Sequence, residues 1–135
     1  MDSKTAILWI QAGGVYHILL ALFHLMFWGL FRWREQLERL HPVNRAIMQV
    51  LNIRLTYLFV VFALISLFFP ADLLETNLGR VLTLALAVFW LMRAFEQPLF
   101  FIKNLFTWLF FLVFLLGAVL YAWPLFQTFE FTVAS

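Results

Sequence analysis

Polar and apolar positions along the chain fall into four long apolar runs separated by short polar stretches. The runs extend from about Thr5 to Phe31, Ala46 to Phe69, Leu78 to Ile102 and Leu105 to Phe126. Each is long enough for a helix crossing a hydrocarbon core, which needs ~20 residues. The pattern predicts an all-α integral membrane protein, a bundle of four transmembrane helices forming one domain over residues 1–135. The first run is longer than the ~7–15-residue core of a signal peptide, and no small-x-small cleavage site follows it. It is read as a span.

The polar stretches punctuate these helices. Arg32-Trp33-Arg34-Glu35-Gln36-Leu37-Glu38-Arg39-Leu40-His41 leads into Pro42. Glu35 with Arg39, and Arg34 with Glu38, have the i,i+4 spacing of helical ion pairs. This predicts a short amphipathic extension at the cytoplasmic surface between spans one and two, with Trp33 at headgroup level. Pro42 suits the first turn of a new helix, and His41 is expected to be a solvent-facing turn residue. Pro70 stops the second run, Ala71 to Arg80 reads as a loop, and a helix starts near Thr76 and Asn77. Pro98 leaves two alternatives. A helix continuing to Ile102 buries Arg93, Glu96 and Gln97, whereas one ending at Gln97 leaves them at the membrane border with Arg54 snorkelling to the same surface. Residues after Gln127 are expected to fray.

Composition agrees: 65% of residues are hydrophobic and 12% charged, against about 25% charged in soluble domains. Mean hydropathy is +0.96. The net charge of +2 reflects topology rather than nucleic-acid binding. Arg32, Arg34, Arg39, Arg45 and Lys103 fall on one side, and Lys4 and Arg80 on the other. The positive-inside rule then puts both termini on the non-cytoplasmic side, in a bacterial inner membrane. Without cysteine there is no disulfide, thiolate nucleophile or Cys metal site.

Candidate chemistry lies in the polar residues inside the runs. Gly13, His17, His24 and Trp28 share one helix face, and Gly13 and Gly14 admit a close neighbour. At 1.5 Å per residue, His24, Asn52, Arg54, Arg93 and Glu96 all fall ~9–14 Å from the cytoplasmic ends of their helices. Together with Gln97 they are the expected ligand-binding cluster, with His17, nearer mid-membrane, a secondary candidate. Arg93 and Glu96 can partly neutralise each other, which leaves Arg54 to find Glu96, Gln97 or His24 across the bundle. The fourth run, ionisable only at Tyr121, is expected to form a lipid-facing or oligomer-facing wall. Phe68-Phe69, Phe100-Phe101 and Phe110-Phe111 read as lipid-facing or packing residues, and Trp33, Trp108 and Trp123 as interface anchors.

No cofactor is expected. His17 and His24, ~10 Å apart along one face, cannot clamp one haem iron, so haem requires a dimer. One acid inside the apolar runs is too few for a carboxylate-bridged metal, and zinc lacks ligands. No HExxH, GxSxG or phosphate loop points to an enzyme. In size and hydropathy alone, the chain resembles small bacterial membrane proteins such as the DoxX-like group, a likeness that carries no motif and no residue role. Three function classes stand: binding of a lipid-like or other anionic amphiphile; a structural or accessory subunit, joined to itself or to a larger membrane complex; and a His-dependent redox or intramembrane enzyme.

Overall fold

The computed structural model describes the backbone of residues 3–133 and the side chains of residues 3–128. Among the described residues the chain is almost wholly helical, without strands. Four helices are long and apolar enough to cross a membrane: α1 (Ser3–Leu25), α4 (Pro42–Phe68), α6 (Asn77–Phe100) and α7 (Leu105–Val133). Short elements join them: α2 (Phe27–Leu30), α3 (Trp33–Gln36), a 3₁₀ turn (Leu37–Arg39) and α5 (Pro70–Glu75). Helix α7 runs beyond Gln127 to Val133; Ala134 and Ser135 lie outside the described residues.

The first apolar run is not one helix. Its ladder loosens at Met26, whose N–H is shared between Leu22 O (3.2 Å) and Phe23 O (3.1 Å). The chain then turns at Arg32, the single non-glycine residue with a left-handed backbone among the described residues, φ 49°. That conformation costs ~1–2 kcal/mol in an L-residue. The 3₁₀ turn has 3.0 residues per turn and breaks the register that i,i+4 pairs need. Instead of Glu35–Arg39 and Arg34–Glu38, the described residues carry one ion pair, Arg32–Glu35 at 2.6 Å. Leu37 is the buried anchor of this hairpin. Pro42 opens α4 at its first turn, and the His41 ring accepts from Val43 N–H at 3.4 Å, so His41 caps α4 as well as facing solvent.

The stretch after Pro70 contains a helix rather than only a loop. Six residues are too few to sustain a helix alone, and α5 is held from outside. Thr83 Oγ1 donates to Leu73 O (3.0 Å), and Arg80 Nε donates to Leu74 O (2.8 Å). Gly79 permits this closeness, because a Cβ there would lie 1.9 Å from Asp72 O. Thr76 caps α6, its Oγ1 accepting from Gly79 N–H at 2.9 Å. Pro98 sits inside α6, which continues to Phe100.

The long helices pack in the order α4, α1, α7, α6: α1 lies along both α4 and α7, and α7 along α6. Helix α7 therefore packs against two neighbours, while Leu109, Leu112, Leu116, Val119 and Trp123 leave it an exposed apolar face. Its Tyr121 is completely buried, a placement that the hydropathy of the run does not encode. The row curls so that α4 and α6 face each other, yet among the described residues no Cα of α4 lies within 8 Å of one in α6. At one end α5 touches all four long helices.

Candidate functional site

Two polar groups occupy the centre, one sealed and one bordering a cavity. The sealed group is built around His17, which has no exposed surface. Its Nε2 lies 3.2 Å from Trp90 Nε1, and its Nδ1 lies 2.9 Å from both Gly13 O and Tyr121 Oη. An indole N–H can only donate and a carbonyl can only accept. Nε2 is therefore the acceptor and Nδ1 carries the hydrogen. Tyr121 Oη continues the chain to Ser66 Oγ at 2.8 Å. These bonds tie α1 to α6, α7 and α4, and Gly13 makes room for them: a Cβ there would lie 2.6 Å from Tyr121 Cζ. Gly14 fits equally tightly against Leu67 of α4 (2.7 Å).

Trp90 is the partition. One edge of its ring serves His17, while its faces stack on Phe59 of α4 (centroids 5.4 Å apart) and Phe114 of α7 (5.8 Å). Beyond it lies a cavity of about 120 Å³ in the half of the molecule away from α5. Phe23 and His24 of α1 line it, with Leu55 and Phe59 of α4, and Phe89, Trp90, Arg93 and Gln97 of α6. Phe110 and Phe114 of α7 complete the wall, with Phe31 and Phe101 from the connecting segments. The lining is aromatic apart from Leu55 and three polar side chains.

Those three are arranged by helix geometry. Arg93 and Gln97 are one turn apart on α6, and Arg93 Nη2 donates to Gln97 Oε1 at 2.9 Å. The guanidinium lies over the Phe114 ring (4.4 Å) and near that of Phe101 (5.3 Å), attractions worth ~0.5–2 kcal/mol each. Its Nη1 is enclosed and has no hydrogen-bond partner among the described residues. Across the cavity, His24 Nδ1 donates to Leu20 O at 2.9 Å, the ring stacked on Phe27 (4.5 Å) and edge-on to Phe59 (5.0 Å). The carbonyl again fixes the hydrogen on Nδ1, and Nε2 is the ring's open nitrogen. Asn52 of α4 backs this wall, its Nδ2 donating to His24 O at 3.2 Å, while its Oδ1 is buried without a partner among the described residues.

Of the expected cluster, the structure brings His24, Arg93 and Gln97 to one cavity, with Asn52 behind it. Arg54 is exposed and does not border it, because successive helix residues rotate by about 100°. With Asn52 turned toward α1, Arg54 two positions on faces away. Glu96 is half-buried and also outside the lining. No Arg93–Glu96 ion pair forms, since Arg93 turns to Gln97 and the rings instead. His17 belongs to the sealed network. Among the described residues no three His, Asp or Glu side chains stand together as metal ligands.

Sequence reasoning missed Trp90, Tyr121 and Ser66, whose roles depend on which helices meet. It also read Phe101 and Phe110 as lipid-facing or packing residues rather than as cavity lining. The hint lay in Trp90, the one Trp near the middle of an apolar run, since an indole N–H there needs an acceptor. No protein-family model, curated protein or solved structure matches this chain.

Proposed function

We propose that the chain is a four-helix integral membrane protein, with both termini on the non-cytoplasmic side of a bacterial inner membrane, that binds an anionic amphiphile in the aromatic cavity. The observation that carries this is the Arg93 guanidinium. It is set among aromatic rings, forms no ion pair among the described residues although Glu96, three residues on, partly offsets its charge, and keeps an enclosed Nη1 without a hydrogen bond. A buried cationic donor left unpaired costs several kcal/mol, and a carboxylate or phosphate oxygen removes that cost. The rings around it suit the first carbons of an apolar tail. The tail leaves through the gap between α4 and α6. The orientation rests on Arg32, Arg34, Arg39, Arg45 and Lys103 gathering at the cavity end.

The accessory-subunit reading finds its support in the His17 network, whose bonds close within the chain and join helices. Native mass spectrometry from a mild detergent separates the two readings. Binding predicts an extra mass of amphiphile size on the wild-type protein, lost in Arg93→Gln and kept in Arg54→Gln. Bare wild-type protein, or loss of assembly in both variants, overturns it in favour of a structural subunit.

A further inference from the structure

Resting on that reading, the hydrogen-bonding sense of the cavity narrows the head group further. Arg93 offers only donors. Gln97 has its Oε1 occupied by Arg93 Nη2, so its carboxamide presents N–H groups. His24 is opposite in sense: with its Nδ1 hydrogen committed to Leu20 O, its Nε2 accepts. A head group that satisfies all three carries negatively charged oxygens and one hydrogen to give. A carboxylate or a phosphodiester has oxygens only, and leaves His24 unpaired. A phosphomonoester, whose second ionisation lies at pH ~6, has the needed set in one compact group. Two oxygens face Arg93 and Gln97, and one shares a hydrogen with His24 Nε2. The monoanion brings that hydrogen with it, whereas an anion without one pairs with His24 only if the imidazole first takes up a proton.

We infer that the cavity selects a phosphomonoester head, with His24 as the residue that distinguishes it from other anions. The cavity lies among helices apolar enough to span a membrane, where α4 and α6 make no backbone approach within 8 Å among the described residues, and this favours a lipid phosphomonoester over free phosphate as the source.

The test offers detergent-purified protein equal amounts of dioleoyl phosphatidate and its monomethyl ester, and counts each by native mass spectrometry. Inorganic phosphate in excess is added in a second arm. One hydrogen bond to a charged group corresponds to at least about tenfold in retention, so phosphatidate is expected to exceed its methyl ester by about that factor. Inorganic phosphate should not displace it. His24→Phe keeps a ring against Phe27 and removes the acceptor, and should level the two lipids. Equal retention of both by the wild-type protein, with both lost in Arg93→Gln, overturns the phosphomonoester inference and leaves amphiphile binding standing. Retention of neither overturns both. Displacement by inorganic phosphate assigns the site to the free ion and overturns the lipid source. The wild-type comparison needs no variant, so it decides the matter even where His24→Phe misfolds.

Discussion

The indole of Trp90 donates to His17 Nε2 across 3.2 Å and so joins two helices, α6 and α1, that have no Cα atoms within 8 Å of each other among the described residues. Side chains, not backbone contact, span this part of the interior. The same indole closes the inner side of the cavity, so the sealed network sets the shape of the site.

Removing His17 should therefore be costly. His17→Ala leaves the Trp90 N–H without its acceptor and the Tyr121 hydroxyl with Ser66 alone, and opens a void, for an expected loss of about 3 kcal/mol or more. Trp90→Phe removes one donor and should cost less, about 1–2 kcal/mol beyond the packing change. Unfolding in detergent, followed by circular dichroism, measures each, and a double-mutant cycle should give a coupling of ~0.5–3 kcal/mol. Additive effects would mean the bond carries no energy.

Three glycines should rank in a fixed order when replaced by alanine. At Gly79 the added methyl collides with backbone, Asp72 O at 1.9 Å, and little folded protein is expected. At Gly13 it meets the Tyr121 ring at 2.6 Å, with an expected cost of about 1–3 kcal/mol. At Gly29 nothing lies within 4 Å, and the better helix propensity of alanine should leave stability equal or raised by up to ~1 kcal/mol. Melting temperatures of the purified variants check the order.

Arg93→Met should separate binding from folding. The variant loses a charge that forms no ion pair among the described residues and keeps much of the side-chain volume, so delipidated protein is expected to melt at or above the wild-type temperature. Bound amphiphile should be absent. A fall in melting temperature comparable to that of His17→Ala would show instead that Arg93 holds helices together.

Leu55→Trp places a large ring into the cavity from α4. Bound amphiphile should be lost while the fold and the His17 network persist, which intrinsic fluorescence and native mass spectrometry report together. Unchanged amphiphile retention would place the bound molecule elsewhere on the protein.

The long helices were legible because their signals are local: apolar length, Pro42 in a first turn, a start near Thr76. Helix α5 was not, since its six residues are held by Thr83 and Arg80 of another helix. The cluster was half legible. Equal depth grouped His24, Asn52, Arg54, Arg93 and Glu96, and of these the structure sets His24 and Arg93 on the cavity with Asn52 behind it; depth ignores rotation. Two residues at about 100° each put Arg54 behind Asn52, an argument that needed no structure. Trp90 was legible only in part: an indole N–H in mid-run calls for an acceptor, but that the acceptor is His17 of a distant helix depends on which helices meet. The phenylalanines carry no such mark, because whether a ring faces lipid or cavity depends on which neighbour its helix turns toward.

Helices α4 and α6 make no backbone approach within 8 Å among the described residues, and Phe59 and Trp90 stack between them. Whatever lodges in the cavity touches both walls and acts as mortar in a seam the polypeptide does not close. Occupancy and heat resistance are thereby one linked quantity, rising together as RT ln(1 + [L]/Kd). A thermal shift on adding lipid then reads out filling of the seam, with no assay of activity required.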